Sequence, residues 1–147
     1  WTSLYWVNAL GAIAVPFLVG HLVDKYSSRK LVIFYPVLII LAFVSLMYDD
    51  NIMWAASFLL FVGAALGMSA TVNNALWAEL YGTAHLGEVK SLGTSFVIVS
   101  TALAPALIGA GMDAGMSILD FITYAIAHGI IAIICVIPIA LEKRQLK

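Results

Sequence analysis

The groups able to do chemistry in this 147-residue chain are few, and their spacing argues against a catalytic centre. His21, His85 and His128 are far apart. No H-E-x-x-H, G-x-S-x-G or phosphate-binding loop occurs. The single cysteine, Cys135, can form neither an internal disulfide nor a cysteine zinc site. It reads as a packed or lipid-facing hydrophobe. No enzymatic activity, metal or cofactor is expected. Histidine changes charge near neutral pH, so His128, in the middle of an apolar run, is a candidate proton site. Its other reading is a neutral imidazole bonded to a neighbouring helix.

Composition says what positions these groups. Hydrophobic residues make up 63% and charged residues only 10%, with a mean hydropathy of +1.05. A soluble domain is about 25% charged, and a disordered chain is more polar still. Net charge is −1, and the cations form no broad basic face, so nucleic acid is not an expected partner. The expected surroundings are a lipid bilayer.

A membrane-crossing helix needs about 20 mainly apolar residues. Five runs qualify, at about 1–22, 31–48, 52–80, 91–112 and 116–141. They are continuous rather than alternating, which speaks for helices and against an outer-membrane barrel. The expected fold is all-α, a polytopic transmembrane bundle forming a single membrane domain.

The seven Lys and Arg residues fall between runs one and two (Lys25, Arg29, Lys30), between three and four (Lys90), and after five (Lys143, Arg144, Lys147). Five spans put all three places on one side; Asp49, Asp50 and Asp113 fall on the other. The positive-inside rule makes the basic side cytoplasmic, with the N-terminus of the chain outside and the C-terminus inside. Trp1, Trp6, Tyr48 and Trp54 suit the outer interface, and Tyr26, Trp77 and Tyr81 the inner one. The chain opens on Trp1, with no basic segment or cleavage site of a signal peptide, and is expected to be a piece of a longer protein. Short loops without targeting features fit a bacterial inner (plasma) membrane.

An internal repeat links runs one and four. Pro16–Asp24 reads PFLVGHLVD and Pro105–Asp113 reads PALIGAGMD, with Pro, Leu, Gly and Asp at matching positions. The runs point in opposite directions, as in the inverted repeats of secondary transporters.

Gly20-His-Leu22-Val-Asp24-Lys25-Tyr-Ser-Ser-Arg29-Lys30 resembles the G-x-L-a-D-r-x-G-r-k loop of the major facilitator superfamily. Ser27 stands where that family prefers Gly, and Ser28 where it prefers Arg. Trp77-Ala-Glu79-Leu-Tyr81-Gly82, His85-Leu-Gly87-Glu-Val-Lys90 and Ala104-Pro105…Gly109…Asp113 look like helices ten and eleven of bacterial members, especially the monocarboxylate and oxalate/formate exchanger-like branches. The resemblance implies helices eight to twelve of the C-terminal half of a secondary transporter. It would work by alternating access against an N-terminal half of the same chain. The cargo would be a small solute, such as an organic anion, with H+ as a candidate coupling ion. The alternative is a small membrane scaffold or assembly subunit.

By the same resemblance Asp24, with Lys25 and Arg29, forms a cytoplasmic gate latch; otherwise it is a solvated loop that sets topology. Gly20, one turn before Asp24, offers a helix-approach surface. Asp113, the repeat partner, is an outer latch or an ordinary helix end. Gly63 and Gly67 form a G-x-x-x-G packing face. Polar residues within spans are costly and so are functional candidates. Asn8, Ser100 and Thr101 lie near mid-span, and the resemblance puts their helices beside the cavity. They are the substrate-lining candidates, the alternatives being bonds back to the same helix or across a helix pair. Asn73 and Asn74 suit a gate or packing role. Glu79 is interfacial, as part of the gate or as a solvated helix end. Asp120 suits the positive end of a helix dipole. No Lys or Arg lies deep in any span, so no cationic anchor for an anion is expected there.

Overall fold

The computed structural model describes residues 4–48 and 51–141. Trp1, Asp49, Asp50, Lys143, Arg144 and Lys147 lie outside the described residues. The described chain is helical: α1 (Tyr5–Tyr26), α2 (Ser28–Leu31), α3 (Phe34–Ser45), α4 (Ile52–Tyr81), α5 (Leu86–Asp113) and α6 (Ile118–Leu141). α2 and α3 form one membrane-length segment, Ser28–Ser45, so five segments are long and apolar enough to span.

The helices overrun the apolar runs at the basic end. α1 continues through Asp24 and Lys25, and α5 starts at Leu86, ahead of Lys90. Charged residues end the hydrocarbon-compatible stretch, not the helix; Lys and Glu are good helix formers.

Backbone chemistry sets the ends. Ser27 breaks α1 at φ 73°, while its N–H still reaches the Val23 carbonyl at 3.0 Å. Gly82 ends α4 at φ 72°, its N–H donating to the Ala78 carbonyl, the glycine stop that a left-handed position favours. Asn51 caps α4 by accepting from the Met53 N–H at 3.2 Å. Ser117 and Asp120 make a reciprocal capping box at α6: the Ser117 N–H donates to Asp120 Oδ2 at 2.7 Å, and the Asp120 N–H to Ser117 Oγ at 3.3 Å. Asp120 is thus a helix-start residue.

α4 is the hub. α1 and α3 pack along it, α3 carries α6 on its other side, and α2 crosses the end of α4. The core lies toward the basic end, where Val19, Leu31 and Val32 meet Met68, Val72 and Leu76. α5 touches α4 along a short stretch only, and none of its residues is buried.

Glycine brings α1 onto α4. A methyl on Gly11 would sit 2.7 Å from the Leu60 carbonyl oxygen, and one on Gly67 2.7 Å from that of Ala12 and 2.8 Å from the Pro16 ring. A methyl on Gly63 would overlap the Asn8 backbone. The G-x-x-x-G of α4 is therefore a packing face. Gly20 is not: nothing lies within 4 Å of a methyl placed there. Nine residues at about 100° each put Gly20 opposite Gly11 on α1, so no described helix approaches it.

Overpacking a tight core costs about 1–3 kcal/mol. Gly63→Ala and Gly67→Ala are expected to destabilise the detergent-solubilised protein by that measure, read as a lower thermal midpoint. Gly87→Ala, in open space on α5, is expected to leave it unchanged.

Candidate functional site

Two clusters of polar side chains form at the basic end of the bundle. The first joins the α1–α2 turn to the last turn of α4. Both carboxylate oxygens of Glu79 are engaged: Ser27 Oγ donates to Oε2 at 2.8 Å, and the Ser28 N–H donates to Oε1 at 3.2 Å. Arg29 adds its Nε at 3.9 Å from Oε2, and its Nη2 donates to the Glu79 backbone carbonyl at 3.3 Å. Ser28 is fully buried, and both charged partners are largely shielded, at 17% and 27% side-chain exposure for Arg29 and Glu79. Burial on this scale and several bonds on one carboxylate set this pair apart from an exposed ion pair, worth little.

Among the described residues Arg29 pairs with Glu79, fifty residues away, and not with Asp24. Asp24 and Lys25 are exposed. They line a pocket of about 660 Å³ together with Lys30, Glu79 and the end of α6. The Lys25 ammonium stands 5.3 Å from the centre of the Tyr26 ring. Glu79 is likewise no solvated helix end. Leu22 is exposed and lines an apolar groove.

The clamp also explains Ser27. A φ of 73° is rare for a residue with a side chain, and holding it costs about 1–3 kcal/mol. The hydrogen bond to Glu79 offsets that cost.

The second cluster is a crevice of about 310 Å³ between α4 and α5. α4 contributes Ser69, Asn73, Asn74 and Trp77, and α5 contributes Lys90, Gly93 and Thr94. Each set repeats at three and four residues, one face of a helix. Gly93 keeps the crevice open beside the Trp77 ring, 3.6 Å from where its methyl would be. The lining offers an ammonium, two amides, hydroxyls and an indole; it holds no Asp or Glu. Lys90 makes no ion pair among the described residues. Asn73 and Asn74 thus face α5 rather than pack against it.

Lys90 is the residue that sequence reasoning missed, having placed it in a loop. The signal was present: Leu86, Val89 and Gly93 recur at helical spacing. Extending α5 back to Leu86 puts Lys90 on its second turn.

The remaining candidates stay apart from both clusters. Asn8 Nδ2 donates to the Leu59 carbonyl at 3.1 Å, a bond across the α1–α4 pair. Thr101 shares the α5 face of Lys90 and Thr94, farther along the helix, and its hydroxyl bonds back to the Val97 carbonyl at 2.8 Å. Ser100 is exposed beside it, Asp113 is exposed at the end of α5, and His128 is exposed on α6. Cys135 is exposed too. The two repeat copies share one feature: Gly20 and Gly109 both face open space.

The sequence model of the Major Facilitator Superfamily matches residues 2–145. No curated protein and no solved structure matches the chain.

The clamp makes the Ser27 substitutions separable. Ser27→Ala keeps the strained backbone and loses a bond to a charged acceptor, a loss of about 1.5–3 kcal/mol. Ser27→Gly loses the same bond but relieves the strain. Thermal unfolding in detergent is therefore expected to rank wild type at or just above Ser27→Gly, with Ser27→Ala clearly below both.

Proposed function

The chain belongs to the major facilitator superfamily, and from that premise we propose that it is part of a secondary transporter for a small organic anion. A multi-pass membrane transporter follows from the family and the five spanning segments. The solute class is our reading of the α4–α5 crevice. An ammonium with no carboxylate beside it, among amide and hydroxyl donors, suits a carboxylate more than a cation or a sugar. The crevice, at about 310 Å³, suits a solute of a few carbons.

The same reading takes the five spans as helices eight to twelve, the C-terminal half, of a monocarboxylate or oxalate/formate exchanger-like member. On this reading an N-terminal half closes the other side of the path. The cationic cluster supports a cytoplasmic basic end, and the plasma membrane is the membrane of this reading. The crevice then opens near the cytoplasmic side, and Thr101 stands farther along the same α5 face toward mid-membrane, with Ser100 beside it. Asn8 serves packing on this reading. His128 stands on α6, which packs on α3 rather than beside the crevice, so a coupling proton, if H+ drives transport, binds elsewhere.

The Glu79–Arg29 clamp is read as the cytoplasmic latch. It ties the α1–α2 turn to α4, and Asp24 at its edge is positioned to engage the other half. One conformation is thereby favoured, and solute release requires the alternative one.

Two measurements on the intact protein in proteoliposomes test these readings. Uptake of radiolabelled oxalate, formate and lactate identifies a substrate. Lys90→Gln is then expected to lower its uptake about 10–100-fold, the worth of a charge-assisted hydrogen bond. Unchanged uptake would sink the anion role of Lys90. For the latch, Glu79→Ala is expected to slow turnover more than Asp24→Ala, with both variants still inserted in the membrane. Wild-type kinetics in both would remove the latch.

A further inference from the structure

A third cavity shares only Tyr26 and Lys30 with the pocket beside the first cluster. α1 and α3 diverge on one flank of α4 and leave a groove of about 700 Å³ between them, floored by Ala64 and Met68. Val15, Val19, Leu38 and Leu41 are among its walls, and Tyr26 and Lys30 stand at its basic end. No Asp or Glu lines it.

Its length is informative. From Val15 to Tyr26 the α1 wall runs about 16 Å at 1.5 Å per residue. The hydrocarbon core of a bilayer is about 30 Å thick, so the groove is one leaflet deep. Farther along, α1 and α4 are in backbone contact through Gly11 and Gly63. A helix laid in it would cross the whole membrane; a lipid tail would fill this depth alone.

Charge decides the headgroup. Arg29 is held by Glu79, and the Lys25 ammonium lies over Tyr26. Lys30 is exposed at the mouth. We propose that the groove binds one acyl chain of an anionic phospholipid from the leaflet at the basic end, its phosphate held by the Lys30 ammonium. The bound lipid then wedges α1 and α3 apart beside the clamp and stiffens the segment that carries the α1–α2 turn.

The test uses the intact protein in detergent, titrated with palmitoyl-oleoyl-phosphatidylglycerol or palmitoyl-oleoyl-phosphatidylcholine, with lipid adducts counted by native mass spectrometry. Phosphatidylglycerol is expected to be retained more tightly than phosphatidylcholine. Lys30→Gln is expected to weaken phosphatidylglycerol about fivefold, the worth of one lysine near a charged headgroup, and to weaken phosphatidylcholine, whose choline cation offsets its phosphate, by less. Lys30→Arg is expected to keep the preference. Leu41→Trp, filling the groove, is expected to remove the tightest adduct. Equal retention of the two lipids, or an affinity indifferent to Lys30→Gln, overturns the headgroup contact. Retention indifferent to Leu41→Trp overturns the groove as the site, as it would if another helix or a second copy filled it. The readout is lipid retention, so it stands or falls apart from the solute reading at Lys90.

Discussion

Where α1 crosses α4, no room remains for a side chain. Gly11, Gly63 and Gly67 each face backbone or a proline ring of the opposite helix at distances a methyl group cannot accept. In a bilayer the hydrophobic effect does not drive helices together, because lipid tails are as apolar as leucine. Close backbone approach and the dispersion contacts it permits take its place. The α1–α4 contact is therefore the constraint on which the bundle depends, and the Asn8 bond to Leu59 pins its register at one level.

The clamp follows from that contact. Once α1 and α4 are in register at their glycines, both helices run to the same end, and the Ser27 turn arrives beside Glu79. The carboxylate then meets a hydroxyl, a backbone N–H and a guanidinium together. Removing the acid would leave these donors facing one another, so clamp and helix contact are mutually dependent. The Ser27 backbone shows the cost: a residue with a side chain occupies a position suited to glycine because its hydroxyl bonds Glu79.

α5 stands in contrast. It has no buried residue and meets α4 only beside the crevice. Most of its surface is apolar, with Leu92, Phe96, Val97 and Leu103 all more than half exposed. That surface suits lipid or another helix, and the weak attachment leaves the crevice wall formed by a helix with few contacts to break. Elements that move are drawn from such loosely held segments.

Hydropathy and charge determined by themselves the all-α class, the five spans and the shared basic side, because the thickness of hydrocarbon and the cost of a charge inside it act on any sequence whatever its fold. The helix-start box of Ser117 and Asp120 and the glycine stop at Gly82 were also readable, since caps are local. Span ends were legible only to within a turn or so, because a helix continues past the membrane edge that hydropathy detects. Only the tertiary structure decided which partner each charged or polar group takes. Arg29 and Glu79 are fifty residues apart, Lys90 shares a crevice with Asn73 and Asn74 of another helix, and Asn8 bonds the Leu59 carbonyl across the α1–α4 pair. Such pairings depend on helix rotation and crossing angle, and these are set by where small residues let backbones touch. Gly63 and Gly67 are used in that way and Gly20 is not, although all three look alike in the sequence. The face of α1 that meets α4 is chosen by the sum of contacts along both helices, which no single motif carries.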